Sequence, residues 1–241
     1  MDIREDTFTV KTYHCRPDGS IKVASLMNYL QEAAAVHAEQ LGFGMARLSE
    51  IDSYWVLSNI KIEFSKFPKW NDRITIRTWP SGHTRSIATR EFLGQDQDGC
   101  DLFKAGSEWM ILKKTSNRPR NLHRIDLNLV PTGPKTVSAD LKRLTPQEAY
   151  TNCEHLQVPY SSIDLNGHVN NTEYIRWTLD AVRMAFDFTG PIRSLQATYF
   201  REVFEADNLD LLLAGDPNGD FHVLGRKSDD QTNVYAVRIR T

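Results

Sequence analysis

Two stretches of the chain carry apolar residues at helical spacing, and each is followed by runs that alternate apolar and polar positions. In the first stretch Leu26, Tyr29, Leu30, Ala33, Ala34, His37 and Leu41 form one continuous helical face. In the second, Tyr174, Trp177, Thr178, Ala181, Val182 and Ala185 repeat the spacing. Asn170 stands where an N-cap belongs, with Glu173 at the far end of a capping box.

Strand signals follow both helices. Ile60, Ile62 and Phe64 alternate with Lys61, Glu63 and Ser65, the pattern of a half-buried strand. Residues 73–77, 87–93 and 108–113 continue the first sheet, with the turn-rich Gln95-Asp-Gln-Asp-Gly99 between the last two. Residues 195–204, 209–213, 222–226 and 234–239 give the second half the same count. Gly215-Asp-Pro-Asn-Gly219 and Ser228-Asp-Asp230 supply its turns.

The chain therefore reads as two copies of one unit. Superposing the helices pairs Tyr29 with Tyr174, and Asn71-Asp72 falls against Ala206-Asp207, so the helix-to-strand connection is longer in the first copy. Residues 116–154, rich in Pro, Lys, Arg and Asn, read as a linker with a short helix after Thr145-Pro146. The expected boundaries are 1–115, 116–154 and 155–241. A helix followed by an antiparallel meander, duplicated, predicts an α+β architecture rather than a doubly wound one. Side by side, two copies could pair sheet edges that a single copy would leave open.

Composition narrows the classes. The 241 residues are 40% hydrophobic with a formal net charge of −2, which gives no global signature for nucleic acid. No apolar run is long enough to span a membrane. Cys15, Cys100 and Cys153 are sparse, odd in number and without CxxC spacing, which argues for a reducing compartment and predicts a cytoplasmic protein. The N-terminal Met-Asp-Ile-Arg-Glu-Asp has neither an apolar core nor transit-peptide composition. No P-loop or GxGxxG occurs, so no nucleotide or redox cofactor is expected. His14, His83, His123, His155 and His222 show no metal-ligand spacing, and His37, on the apolar helix face, reads as a packed core histidine.

Polar chemistry concentrates just before the second helix. Asp164, Asn166 and His168 sit at period two, so in an extended segment all three project from one face. A helix N-terminus beside them favours developing negative charge, as an oxyanion requires. The plainer alternative is a solvated turn in which Asp164 and Asn166 bond their own backbone. Helix superposition sets Gly19, Ile21 and Val23 against these three, which favours a function confined to the second copy. Glu202, in Tyr199-Phe-Arg-Glu-Val-Phe204, is a second candidate whose first-half counterpart is near Phe67; otherwise it pairs with Arg201 or Arg193 at the surface.

The stretch Asp164-Leu-Asn-Gly-His-Val-Asn-Asn-Thr-Glu-Tyr-Ile resembles the signature of plant and bacterial acyl-acyl carrier protein thioesterases. Tyr199-Phe-Arg-Glu-Val resembles that family's later strand. Leu30-Gln-Glu-Ala-Ala, His37-Ala-Glu-Gln-Leu-Gly42, Trp55-Val-Leu-Ser and Phe67-Pro-Lys-Trp-Asn-Asp72 extend the likeness over nearly the whole chain. The resemblance implies a tandem (double) hotdog, two antiparallel sheets each wrapped around a long helix. It implies hydrolysis of fatty acyl-acyl carrier protein, which releases the fatty acid and ends chain elongation. Asp164, Asn166, His168 and Glu202 match its catalytic set. Some members carry a cysteine after the strand glutamate; Val203 stands there, which excludes a thiol nucleophile at that position.

A thioester needs a positioned water and a stabilised oxyanion more than it needs help for its leaving thiol. Glu202 then acts as general base, His168 orients the water, Asn166 polarises the carbonyl and Asp164 fixes its neighbours. A covalent carboxylate route is the competing mechanism. The expected partner is acyl carrier protein, whose acidity suits the basic run Lys113-Lys114, Arg118, Arg120, His123 and Arg124; that run equally suits a solvated linker, and a homodimer is compatible with the pattern. The first unit is expected to hold the acyl chain and the second the catalytic residues. Two rivals stand beside this reading: a hotdog hydrolase of acyl-CoA or another small thioester, and a non-catalytic acyl-binding protein.

Overall fold

Val23–Gln40 is helical (α1) because Leu26, Leu30, Ala33, Ala34 and His37 make one stripe that leaves water completely, their exposures running from 0% to 6%. A computed structural model describes residues 2–127, 129–147, 149–216 and 219–241. Two compact units divide at Leu141 and Lys142.

In the first unit, β1 (Arg4–Thr9), β2 (Ser53–Phe64), β3 (Arg73–His83), β4 (Ala88–Gln95) and β5 (Asp101–Lys113) form an antiparallel sheet in the order β1-β3-β4-β5-β2. α1 packs on β1 and β3, burying Ile60, Ile62, Ile74, Ile76, Phe92 and Phe103 in the unit's core. Tyr29 and Leu41, expected on the buried face, lie at its rim; Tyr29 stacks on Phe8 with ring centroids 4.4 Å apart and reaches His14 Nδ1 at 2.6 Å. A short helix, α2 (Met45–Glu50), accounts for the longer connection in this copy.

In the second unit, β6 (Asn152–Gln157), α3 (Asn171–Phe186), β7 (Ser194–Tyr199), β8 (Asn208–Gly215), β9 (Asp220–Lys227) and β10 (Asn233–Arg240) follow the same plan, with sheet order β7-β10-β9-β8-β6. α3 packs on β8 and β10. Its stripe of Tyr174, Trp177, Thr178, Ala181 and Val182 is buried together with Leu195, Leu209, Leu211, Leu213, Val223, Tyr235 and Val237, and the Tyr174 ring packs edge-on against Tyr235. A helix laid on its own antiparallel sheet, twice, is the expected hotdog arrangement.

Several elements differ from expectation. Each sheet has a fifth strand, β1 or β6, that precedes the helix; β1 opens on the consecutive charges Arg4, Glu5 and Asp6, and β6 holds a single large apolar residue, Leu156, so neither shows apolar periodicity. The strand expected over residues 195–204 ends at Tyr199, and Phe200–Phe204 forms a loop. The helix expected after Thr145-Pro146 is absent among the described residues there, while Val137–Asp140 forms a 3-10 turn instead. Of the Gly215–Gly219 turn, Pro217 and Asn218 lie outside the described residues; its flanks close through Asp216 N–H to Asp220 and Gly219 N–H to Asp216.

Part of the linker segment is fastened to the first sheet. Trp79 Nε1 donates to the Pro134 carbonyl at 2.9 Å, and Thr132 N–H to Pro80 at 2.9 Å. The buried Glu91 carboxyl group accepts Thr136 Oγ1 at 2.6 Å, Ser81 Oγ at 3.1 Å, Ser138 N–H at 3.3 Å and the Ser138 hydroxyl. Directly across from Glu91 lies Gly106, where an added Cβ would stand 2.4 Å from Ser138 N. Only the missing side chain lets the strap reach the sheet. Residues 152–154, at the end of the expected linker, belong to β6.

Candidate active site

Asp164 to His168 is a tight turn and not the extended segment its period-two spacing suggested. Ile163 and Val169 pair as an isolated bridge, Asp164 N–H donates to His168 O at 2.8 Å, and Gly167 N–H to Asp164 O at 3.0 Å. Gly167 takes φ +79°, a left-handed conformation that glycine adopts without strain. Asp164 Oδ1 accepts the Asn166 N–H at 2.8 Å, so the plainer alternative, an Asx turn, does describe the backbone here. The Asn166 side chain stands on the exposed tip, while His168 is turned inward and partly buried.

The turn is held against a second loop. Val169 N–H donates to the Val203 carbonyl at 2.9 Å. The residue before each of these is His168 and Glu202, and their side chains meet with Nδ1 to Oε1 at 3.6 Å and exposures of 22% and 18%. Phe204 closes one side, its ring edge-on to the His168 imidazole with centroids 5.0 Å apart. Lys227 lies 5.8 Å from the Phe204 ring centroid and pairs with Asp207 at 2.8 Å. Nothing in local spacing marks Phe204; it joins the site only through the loop that follows β7.

The helix start is already capped. Asn170 Oδ1 accepts the Thr172 N–H at 2.9 Å and its hydroxyl at 3.0 Å, while Glu173 N–H donates to Asn170 O at 2.9 Å. The cap is as expected, but the reciprocal half of the capping box is replaced: Asn170 N–H goes to Ser162 O, and the Glu173 carboxylate takes the Ser162 hydroxyl and Arg176. Two of the N–H groups expected to meet an oxyanion are thus engaged. Behind the site the Tyr174 hydroxyl is raised well above its ordinary range, first by burial and then by Tyr235, Glu202 and Asp164. Tyr199 Oη ties β7 to the helix start through Asn171 O at 2.9 Å.

The first unit has the same backbone cradle, and it corrects the sequence superposition. Cys15 and Ile21 form the matching bridge, Gly19 takes φ +80°, and Ile21 N–H donates to Pro68 O at 2.9 Å. The true counterparts of Asp164, Asn166 and His168 are therefore Arg16, Asp18 and Ser20, not Gly19, Ile21 and Val23. Leu26, not Tyr29, matches Tyr174. A three-residue slip on a helix keeps the apolar face nearly in register, so periodicity could not expose it. Polar side chains occupy the turn in both copies, but in the first they are spent on each other: Asp18 Oδ1 accepts the Ser20 N–H and hydroxyl at 2.9 and 2.6 Å, and Arg16 Nη2 donates to Ser20 Oγ at 2.7 Å. Phe67 does match Glu202, as expected, and Arg16 lies 4.9 Å from its ring centroid. The pairing of an imidazole with a carboxylate across this cradle belongs to the second copy.

Among the described residues, the one cluster of His, Cys and carboxylate groups spaced to share a metal ion lies elsewhere in the second unit, at Cys153, His155 and Asp210. No described helix is long and apolar enough to cross a membrane.

Residues 2–127 match the acyl-ACP thioesterase N-terminal domain and residues 145–238 the acyl-ACP thioesterase C-terminal domain. The chain is 28% identical over 227 residues to the chloroplastic acyl-[acyl-carrier-protein] hydrolase FATB2 of Cuphea viscosissima, covering 88% of this chain and 55% of that relative. Among solved structures, an acyl-ACP thioesterase from Bacteroides thetaiotaomicron superposes with a TM-score of 0.83 at 26% identity, over 99% of this chain and 97% of that one. The 12:0-ACP thioesterase of Umbellularia californica shares the fold, with a TM-score of 0.84 at 22% identity over 99% and 96% of the two chains. With both halves matched in order and the tandem hotdog fold present, the chain belongs to the acyl-ACP thioesterase family.

Proposed function

We propose that the chain hydrolyses the thioester of fatty acyl groups carried on acyl carrier protein, releasing the free acid and ending elongation. The observation that carries this reading is the His168–Glu202 pair, 3.6 Å apart, in a cradle whose first-unit twin holds Ser20 and Phe67 instead. Glu202 takes a proton from the attacking water, and His168 orients that water and shares the proton. The Asn166 amide, on the exposed tip of the turn, polarises the thioester carbonyl as charge builds on its oxygen. Asp164 is a positioning residue, since its carboxylate holds the Asn166 backbone and so the shape of the turn. The departing thiol leaves as thiolate without further assistance.

The division of labour follows the two units: the second supplies the chemistry, and the apolar interior of the first takes the acyl tail. Burying a tail is worth about 0.8 kcal/mol per methylene, so filling that interior shifts preference toward shorter chains. The three cysteines form no disulfide, in keeping with a reducing compartment, and the cytoplasm is the proposed location. Side-by-side hydrolysis of the same acyl groups on carrier protein and on coenzyme A tests the substrate. Faster turnover of the carrier-linked series supports the proposal, whereas preference for the coenzyme A series makes the chain a small-thioester hydrolase on the same scaffold.

A further inference from the structure

We infer that Cys153, His155 and Asp210 form a binding site for one divalent cation of the zinc class on the second unit. The placement follows from strand geometry. Cys153 and His155 are two residues apart on β6, so their side chains leave the same face. Asp210 lies directly opposite His155 on β8, which sets it diagonal to Cys153. The Cys-x-His spacing alone is uninformative, and the third ligand comes from a strand more than fifty residues later in the chain. That is why the sequence shows no metal-ligand spacing at His155.

The ligand atoms of the three side chains all lie within 4.8 Å of one another, and His155 Nδ1 is 2.9 Å from Asp210 Oδ1. With bonds of about 2.0–2.3 Å to nitrogen, oxygen and sulfur, a tetrahedral ion needs its ligands roughly 3.3–3.6 Å apart. Cys153 and His155 are exposed, so side-chain rotation alone brings them to that spacing. Asp210, 9% exposed, is the fixed member: the Ser228 hydroxyl donates to it at 2.6 Å and serves as its outer support. Packing gives no reason for a cysteine at position 153, which faces solvent on the last strand of its sheet.

Chemistry selects the ion. A thiolate and an imidazole favour zinc, cobalt or copper over magnesium or calcium, which prefer all-oxygen sites. Three protein ligands leave a fourth position for water or an exogenous group. Arg226 lies cross-strand from Asp210, and Glu154 adds negative charge beside Cys153. On binding, the Cys153 S–H bond breaks, sulfur keeps the electron pair for the metal, and the proton goes to solvent.

Cobalt(II) titrated into the full, metal-stripped chain reads the site directly, because a cysteine thiolate on cobalt gives an intense near-ultraviolet charge-transfer band. The expected result is a band that saturates at one equivalent, is bleached by one equivalent of zinc, and disappears in Cys153→Ala. His155→Ala and Asp210→Asn weaken binding by at least about tenfold, with Ser228→Ala milder, while circular dichroism shows each variant folded. Absence of the band, or a band that survives in Cys153→Ala because Cys15 or Cys100 supplies it, overturns the inference.

Discussion

The backbone N–H of Val169 donates to the carbonyl of Val203 at 2.9 Å, and this bond joins the loop of His168 to the loop of Glu202. The two side chains are brought together by backbone geometry in neighbouring loops, not by a shared element. Ile21 and Pro68 make the same bond in the first unit without an acid–base pair beside it. The duplication thus supplies an internal control for each change made at the site.

The two turn glycines are the first use of that control. An added Cβ meets nothing within 4 Å at Gly19 or Gly167, so alanine at either position is strained only by its positive φ. Gly167→Ala and Gly19→Ala should each cost about 1–2 kcal/mol in urea unfolding. Turnover should fall roughly tenfold to a hundredfold in Gly167→Ala alone, through misplacement of His168. Equal losses of turnover in both would mean that the second turn has no special role.

Glu91 fastens the strap of residues 132–141 to the first sheet. Glu91→Ala removes the acceptor shared by the exposed Thr136 and the buried Ser81 and Ser138, and should destabilise the protein by at least about 2 kcal/mol. Limited proteolysis should then cut within the strap at protein concentrations and times that leave the wild type intact. A strap that stays resistant in a destabilised Glu91→Ala protein would show that other contacts hold it.

Much of this was legible in the sequence, and what was not has physical causes. Both long helices, the later strands and the match between Phe67 and Glu202 follow from periodicity and spacing. β1 and β6 are short and poor in large apolar residues, so alternation barely marks them. Period-two spacing of Asp164, Asn166 and His168 imitates a strand, while Gly167, whose positive φ closes the turn, sits between them. The meeting of His168 with Phe204 and the clamp of Glu91 on Ser138 are tertiary events that no local pattern encodes.

His37 gives the fold a defined acid sensitivity. Burial, and then the adjacent Arg90, lower its pKa from 6.5 to about 4; Arg90 Nη1 lies 3.1 Å from His37 Nδ1 and 3.1 Å from Thr78 Oγ1. Above pH 6.5 the histidine is neutral folded or unfolded and contributes no pH dependence. Between 6.5 and about 4 the unfolded chain binds a proton that the folded chain refuses, so stability falls as pH falls; below about 4 this loss is complete. Urea midpoints measured across that window should drop in the wild type and drop less in His37→Gln. Parallel curves for the two proteins would remove His37 from the account.

Joint action of Glu202 and His168 on a carrier-linked thioester is read out by steady-state hydrolysis of acyl-acyl carrier protein by Glu202→Gln and His168→Ala. Each variant should remain folded and lose at least about a hundredfold in kcat/KM, and the double variant should lose little more than either alone. Phe67→Leu and Ser20→Ala, at the matching places in the first unit, should leave the chemical step intact. Near wild-type turnover in folded Glu202→Gln would contradict the assignment and move the role of base to Asp164.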